Sequence, residues 1–161
     1  MTGGEAPDTT SSHPVEHALR RAIANPRANT VLERLVLEFG QPFFGASLPN
    51  AYQYGPPKSC FENAGRSAFY DCGIYVEGFA ISPNLDFALH HAWLTEDGIT
   101  AIDVTWSNSK QCYYFGVLFS PEVFQDTLHA RRNWGLLDAA NSVAEMREML
   151  HRNKAALMRP D

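Results

Sequence analysis

The sequence predicts a single α+β domain in which one helix packs on an antiparallel sheet of about four strands, with further helices at both ends of the chain. Apolar residues recur at helical spacing near both ends of the 161 residues, and β-rich runs follow one another between them. Helices and strands thus fall into separate blocks, unlike the regular alternation of a parallel doubly wound sheet. The length suits one domain, and a hydrophobic fraction of 45% is enough for one core.

Composition and charge exclude several classes of protein. The net charge is −5 and no basic run is longer than Arg131-Arg132, so a nucleic-acid partner is not expected. The longest apolar stretches, such as residues 31–39, are far shorter than the roughly 20 residues that span a bilayer, so we expect no membrane span. We also expect no cofactor.

The N-terminus and the cysteines indicate a compartment. The first residues lack the basic region followed by an apolar one that marks a signal peptide. The three cysteines are an odd and unclustered set, which does not suit a disulfide framework. Both observations favour the cytoplasm, although export by a non-classical route, as for a bacterial effector, stays open.

The N-terminal third divides into a tail, two helices and a loop. Residues 1–14 lack apolar periodicity and are predicted to be a flexible tail, which leaves 15–161 as a single catalytic-type domain. Helical spacing predicts helices over 15–24 and 30–39. Residues 40–58 carry prolines and glycines among aromatic residues, which is typical of an ordered surface loop.

The next segment has the signature of a helix start. Ser59 is followed three positions later by Glu62, which matches a capping box, and no helix breaker interrupts the run up to Tyr70. Ser59 is then the N-cap, and Cys60 is the first residue of the helix.

The remaining elements follow from β-rich runs and then from helical spacing. Four runs bounded by turn residues predict antiparallel strands, at 74–81, 88–95, 99–106 and 112–119. Two helices are predicted after them, at 121–131 and 142–157. The apolar face of the last helix could also lie between chains, so the sequence leaves the oligomeric state open.

Cys60 is a candidate nucleophile because of its predicted position. The first turn of a helix offers the positive end of the helix dipole and unpaired N–H groups, which favour a thiolate. Lys58 adds positive charge nearby. A free cysteine is also among the most commonly buried residues, so the position becomes informative only with a base and an orienting acid.

A base and an acid are available on the predicted strands, provided that the hairpin has the right register. A three-residue loop over 96–98, with Gly98 in the bulge position, places His91 directly opposite Asp103 on one face. A two-residue turn instead places Asp103 opposite Ala92, on the other face. Both registers stay open at this point.

Strand alternation allows only one of the two adjacent histidines to face the Cys60 helix, and the Asp103 partner favours His91 over His90. A carboxylate on one imidazole nitrogen fixes the tautomer and leaves the other nitrogen to exchange a proton with the thiol. The structural alternative is an ordinary cross-strand hydrogen bond with Cys60 as a core residue.

The order of these residues resembles the transglutaminase-like core of the papain-like cysteine-enzyme superfamily. The likeness covers roughly residues 59–119: Cys60, then His91-Ala92-Trp93, then Asp103-Val104-Thr105. Small phage and bacterial proteins of unassigned role share a similar Cys-Phe-Glu-Asn-Ala segment. The resemblance implies a papain-like fold with Cys60 as nucleophile, His91 as base and Asp103 as orienting acid.

The chain departs from this family at two points. Val104 stands where proline is common, and only 31 residues separate Cys60 from His91, so the cleft is expected to be shallow or completed by a partner. Papain-like enzymes commonly place a glutamine shortly before the cysteine as an oxyanion donor. Gln53, seven residues upstream, is the candidate here.

Other residues are given mainly structural interpretations. Asn63 and Trp93 are possible cleft-lining residues, although hydrogen bonding to the loop and core packing are the alternatives. Cys72 and Cys112 are interpreted as buried thiols. No C-x-x-C or H-E-x-x-H spacing is present, and adjacent strand histidines point to opposite faces, so no metal site is expected.

The predicted function is thiol attack on an amide or thioester carbonyl of a protein or peptide substrate through an acyl-enzyme. Protease, glutamine deamidase and transglutaminase-like acyltransferase reactions share this chemistry, and the triad does not separate them. The alternative is an inactive papain-like fold that serves as a protein-binding or adaptor module, with the aromatic loop over 43–54 as its contact surface.

Overall fold

A computed structural model describes residues 13–138 and 141–160 of the chain. Most of the predicted tail, residues 1–12, lies outside the described part, and Pro14 already belongs to the first helix. In the described part, no helix combines the length and apolarity needed to cross a membrane.

The helices lie close to where helical spacing predicts them. The first two are α1 (Pro14–Ile23) and α2 (Val31–Phe39), and the cysteine-bearing helix is α3 (Cys60–Phe69). The last two are α4 (Pro121–Arg131) and α5 (Val143–Leu157). All five predicted helices are confirmed to within about one residue at most ends, because their signals are local caps and periodicity.

The five strands form one curled sheet of mixed direction. They are β1 (Gln41–Gly45), β2 (Ile74–Ile81), β3 (Leu89–Thr95), β4 (Thr100–Ala101) and β5 (Tyr113–Leu118), in the spatial order β3-β2-β5-β1-β4. All neighbours are antiparallel except β1 and β4, which are parallel. An isolated bridge between Leu94 and Ile102 joins the two edges, so the sheet curls back on itself.

This architecture confirms the α+β class but corrects the predicted four-stranded antiparallel sheet. The segment read as a loop over 40–58 contains β1, whose Pro42 and Gly45 hide the strand pattern. The strand predicted over 99–106 shrinks to the two residues of β4, on the opposite edge from β3. The connection between β3 and β4 is a four-residue loop, 96–99, in which Asp97 accepts backbone hydrogen bonds from Ile99 and Thr100 at 2.8 and 2.7 Å, and it is longer than either predicted turn.

Two cores lie on the two faces of this sheet. The larger one packs the helices on the outer face, and α3 covers β2 and β3. The smaller one fills the inside of the curl around Phe43, Trp93 and Tyr114. Neighbouring residues of β3 therefore reach two different environments, which decides the surroundings of His90 and His91.

Candidate active site

Cys60 is the first residue of α3, as predicted, and its side chain is 9% exposed. The backbone of Lys58 has a left-handed φ of 64°, which turns the chain into the helix just before it. The predicted capping box is wrong: Ser59 is the N-cap but makes no side-chain cap bond, and Glu62 pairs with Arg66 at 2.8 Å instead. The N-terminal N–H groups of α3 therefore lack a side-chain cap from Ser59.

His91 and Asp103 are in contact at the inner face of the sheet. The Nε2 atom of His91 donates to Oδ2 of Asp103 at 2.8 Å, and both residues are 1% exposed. Neither predicted register holds, because Leu94 pairs with Ile102. That pairing moves Asp103 diagonally from His91 but keeps both on one face, and a diagonal pair of long side chains still makes contact.

The Asp103 carboxylate is held by donors at both oxygens. Oδ2 also accepts from the Tyr114 hydroxyl at 2.8 Å, while Oδ1 accepts from the backbone N–H groups of Thr105 and Trp106 at 2.8 and 2.9 Å. Burial and the charge of Asp103 raise the pKa of Tyr114 well above its usual value, so the phenol remains a donor. A buried carboxylate with four donors is a rigid acceptor for the imidazole.

The electrostatic balance at His91 favours the imidazolium. Burial lowers its pKa, but hydrogen bonds to Asp103 and Cys60 outweigh burial and raise the pKa from 6.5 to about 9. The Cys60 side chain therefore lies near enough to this ring to raise its pKa. Since Asp103 takes Nε2, Nδ1 is the nitrogen left for the thiol.

Two tryptophans near His91 have different roles. The ring of Trp106 stacks on the imidazole with centroids 4.0 Å apart and shields the His91–Asp103 bond from water. Trp93 is fully buried in the small core, against Phe43, so its predicted role in lining the cleft is wrong.

Asn63 links the loop before α3 to the segment that carries Asp103. Its buried amide donates to the carbonyl of Pro56 at 2.9 Å and to Oγ1 of Thr105 at 3.0 Å. The loop-bonding interpretation of Asn63 is therefore confirmed. Gln53 is exposed and makes no hydrogen bond within the described residues, so its oxyanion role stays a prediction.

A second histidine–carboxylate pair lies on the outer face of the sheet. Nε2 of His90 lies 2.9 Å from Oε1 of Glu77, and Glu77 is completely buried. The same carboxylate accepts from Leu136 N–H at 2.7 Å, Leu137 N–H at 2.9 Å and the Tyr75 hydroxyl at 2.8 Å. The sequence patterns did not indicate Glu77, although it is the one charged residue in the run 74–81.

A cavity of about 550 Å³ opens beside the start of α3. Its lining includes Ser59 and Phe61, the residues on either side of Cys60, together with His90 and the 133–138 segment. Trp134 of that segment packs so closely on α3 that a Cβ at Gly65 would lie 2.4 Å from its ring. This segment had no function in the sequence interpretation, and the structure makes it a wall of the cavity.

The other sequence candidates divide as follows. Cys112 is buried as expected, but Cys72 is exposed, which corrects the expectation that it is a buried thiol. The aromatic residues in the loop of the adaptor alternative divide evenly: Phe43 and Tyr52 are buried, whereas Phe44 and Tyr54 are exposed. Among residues 13–138 and 141–160, no group of three or more His, Cys, Asp or Glu side chains is placed to hold a metal ion.

Comparisons with known proteins were made by sequence family, by curated sequence and by solved structure. None of the three gives a match. The resemblance to transglutaminase-like and papain-like proteins therefore stays a prediction that rests on the residue order and on the site geometry.

Proposed function

We propose that the protein is a thiol-dependent acyl-transfer enzyme in which Cys60, His91 and Asp103 act together, within a papain-like or transglutaminase-like fold. The observation that carries the proposal is the grouping of three side chains: Asp103 lies 2.8 Å from Nε2 of His91, and the Cys60 thiol, at the first residue of a helix, is near enough to His91 to raise its pKa. This is the nucleophile, base and orienting acid that acyl transfer requires.

The first half-reaction forms a thioester. The Cys60 sulfur attacks the carbonyl carbon of an amide or thioester, so a C–S bond forms and the carbonyl π electrons move to oxygen. When the tetrahedral intermediate collapses, the bond to the leaving amine or thiol breaks. The His91 imidazolium gives its proton to that leaving group, while Asp103 keeps the ring oriented.

The second half-reaction releases the acyl group. Water or an amine attacks the thioester carbonyl, neutral His91 takes the proton of the nucleophile, and the C–S bond breaks to restore the sulfur. Attack by water gives hydrolysis or deamidation, and attack by an amine gives transfer. The same residues serve each outcome, so the acceptor is selected by the surroundings of the site.

The N-terminus of α3 can stabilise the oxyanion. Backbone N–H groups in the first turn of a helix have no intrahelical acceptor, and that of Cys60 lies closest to the attacking sulfur. Gln53 would supply a second donor if its loop moved over the site. That loop is held two residues later, where Gly55 N–H donates to the carbonyl of Val104 at 2.8 Å.

The test is the rate of iodoacetamide alkylation at each cysteine of the native protein, followed by intact mass and peptide mapping from pH 5 to pH 9. Although Cys60 is 9% exposed and Cys72 is an exposed residue, we expect Cys60 to react faster below pH 7. His91→Gln keeps a donor for Asp103 but removes Nδ1, so it should lower the Cys60 rate by roughly 100-fold.

The control is His129→Gln, which changes an exposed histidine of α4 in the same way. If Cys60 labels more slowly than Cys72, and His91→Gln labels at the rate of the His129→Gln control, the enzyme proposal is wrong. The chain would then fit the alternative of an inactive fold that binds other proteins.

A further inference from the structure

We propose that the cavity beside Cys60 binds the substrate side chain next to the attacked carbonyl, and that His90 selects a side chain with an uncharged hydrogen-bond donor on an apolar stem, as in glutamine. The inference rests on the proposed function, because it assigns the substrate class of that same site. It is carried by the position of the cavity, by the hydrogen bonds of His90 and by the charges around it.

The position of the cavity connects it to the reacting sulfur. Ser59 and Phe61 line it, and Cys60 lies between them at the start of α3. Cys60 does not line the cavity itself, but a group bound there lies beside the backbone that carries the thiol. The volume of about 550 Å³ is in the range of small-molecule binding sites, so it accepts a long side chain with part of its backbone.

The polar group in this cavity is a hydrogen-bond acceptor. Because backbone N–H groups donate to both oxygens of Glu77, the carboxylate acts as an acceptor, and His90 donates its Nε2–H to it. In the tautomer that carries its hydrogen on Nε2, the Nδ1 atom has a lone pair. His90 lines the cavity with 27% of its side chain exposed, so this acceptor is available to a bound amide N–H.

The surroundings hold this acceptor in place. The rings of Phe61 and Phe79 lie 4.8 and 5.5 Å from the His90 ring, and Glu77 fixes the imidazole from behind. Glu77 also anchors the far wall through Leu136 and Leu137. A subsite whose wall and polar group share one buried anchor is preorganised, which lowers the entropic cost of binding.

The charges disfavour an ionic side chain. The Glu77 carboxylate lies directly behind His90 and repels a substrate carboxylate. Glu62 and Asp138 also line the cavity, but Glu62 is paired with Arg66 and Asp138 accepts from Asn133, so Lys58 is the lining charge that a lysine or arginine meets. The walls contributed by Phe61, Trp134 and Leu137 suit an apolar stem. A neutral amide on a short aliphatic stem offers an N–H to His90, carries no charge and places apolar atoms against these walls.

The probes are acetyl-Ala-Xaa vinyl methyl esters with Xaa as glutamine, methionine, lysine or glutamate. The Cys60 sulfur adds to the alkene carbon bonded to the Xaa Cα, which is β to the ester and stands in place of the attacked carbonyl, and the alkene carbon next to the ester takes a proton, so the adduct is read by intact mass. Each second-order rate is divided by the iodoacetamide rate of the same variant, which corrects for thiol reactivity. We expect the glutamine probe to react about 10-fold faster than the methionine probe and faster than both charged probes.

Two variants test the subsite separately. His90→Phe keeps an aromatic ring between Phe61 and Phe79 and leaves Glu77 its three other donors, but it has no acceptor for the substrate. The glutamine-to-methionine ratio should therefore fall to about 1, whereas His129→Phe keeps the ratio of the unmodified protein. Gly135→Leu fills the cavity, since a Cβ there meets Phe61 at an unstrained 3.8 Å. It should lower the normalised rates of the glutamine and methionine probes by about 10-fold or more.

The outcomes distinguish this inference from the function on which it rests. If Cys60 reacts rapidly with iodoacetamide but His90→Phe leaves the ratio unchanged, or the probes label Gly135→Leu as fast as the unmodified protein, the subsite is wrong and the enzyme proposal stands. A methionine probe that reacts as fast as the glutamine probe also overturns the subsite. If Cys60 fails to react selectively with iodoacetamide, both proposals fall.

Discussion

The two faces of β3 carry two histidine–carboxylate pairs with opposite surroundings. On the inner face, His91 and Asp103 are both 1% exposed and are enclosed by aromatic rings. On the outer face, Glu77 is just as buried, but 27% of the His90 side chain is exposed at a cavity. One strand thus separates a pair suited to proton transfer from a pair suited to recognition, because successive side chains alternate between faces.

Among the variants of the two pairs, we expect the largest effect on stability from a substitution of Asp103. In Asp103→Asn, the new NH₂ group replaces one of the two carboxylate oxygens and faces two hydrogen-bond donors. These donors are either His91 and Tyr114 or the two backbone N–H groups. We expect a loss of about 3–5 kcal/mol in the free energy of unfolding, together with the loss of rapid Cys60 alkylation. Urea titration monitored by circular dichroism measures the first quantity.

Tyr114→Phe is the milder companion variant, because it removes a single donor from Asp103. Its loss should be about 1.5–3 kcal/mol, with Cys60 alkylation reduced less than in Asp103→Asn. Equal losses in the two variants would contradict the view that the carboxylate is the centre of this network.

The next effect is the pH dependence of stability. The pKa of His91 rises from 6.5 in the unfolded chain to about 9 in the folded protein, so the native state binds this proton more tightly. The stabilisation is fully present below about pH 6.5 and is lost as pH rises through 9. At 1.36 kcal/mol per pH unit, it amounts to roughly 3 kcal/mol.

His91→Gln isolates the contribution of His91 to this pH dependence, since glutamine does not titrate. Urea unfolding at intervals from pH 6 to pH 9.5 should show the free energy of unfolding fall in the unmodified protein and remain nearly flat in His91→Gln. A parallel fall in both proteins would assign the titration to another group.

The difference between the two pairs also explains what could be predicted from the sequence. The start of α3 at Cys60 depends on local signals and came out at the correct residue. The His91–Asp103 contact was found through a wrong register, because the true pairing of Leu94 with Ile102 preserves the face. The pairing of β1 with β4 depends on contacts distant in sequence. The four-residue loop over 96–99 depends on the hydrogen bonds of one side chain, Asp97.

The outer pair escaped prediction for a different reason. A glutamate in a strand normally faces solvent, and Glu77 can be buried because the distant 134–137 segment supplies two backbone donors in addition to Tyr75 and His90. Burial of a carboxylate is thus a property of the tertiary structure. The one available signal was a single charge in an otherwise uncharged strand.

A smaller effect is expected where the cavity wall meets α3. In Gly65→Ala, the new Cβ would lie 2.4 Å from the Trp134 ring, so the 133–138 segment must shift. Better helix propensity offsets part of the overpacking, and we expect a net loss of about 1–2 kcal/mol in the free energy of unfolding. Tryptophan fluorescence should report the movement of Trp134.

The matched control for Gly65→Ala is Ser67→Ala, a small substitution in the same helix at a half-buried position. It should change the free energy of unfolding by less than about 0.5 kcal/mol. If Gly65→Ala is as stable as this control and leaves the fluorescence unchanged, Trp134 does not pack on the helix as described.

The smallest effect separates two roles for Glu62 at the start of the cysteine helix. A capping glutamate would bind the backbone N–H of Ser59, and its loss would cost about 1 kcal/mol. The structure instead pairs Glu62 with Arg66 one turn later at 2.8 Å, with 44% of the Glu62 side chain exposed. An exposed pair of this kind contributes about 0.3–0.5 kcal/mol, and salt screens it.

Glu62→Ala should therefore lower the free energy of unfolding by no more than about 0.5 kcal/mol, and 1 M NaCl should remove most of that difference. Arg66→Ala gives the matched partner variant, although it also removes the cation–π contact with Trp134 at 5.6 Å and so should cost slightly more. A loss near 1 kcal/mol in Glu62→Ala that persists in high salt would restore the cap. It would also mean that fewer N–H groups remain for an oxyanion beside Cys60, because an uncapped helix start is what leaves those donors to a substrate.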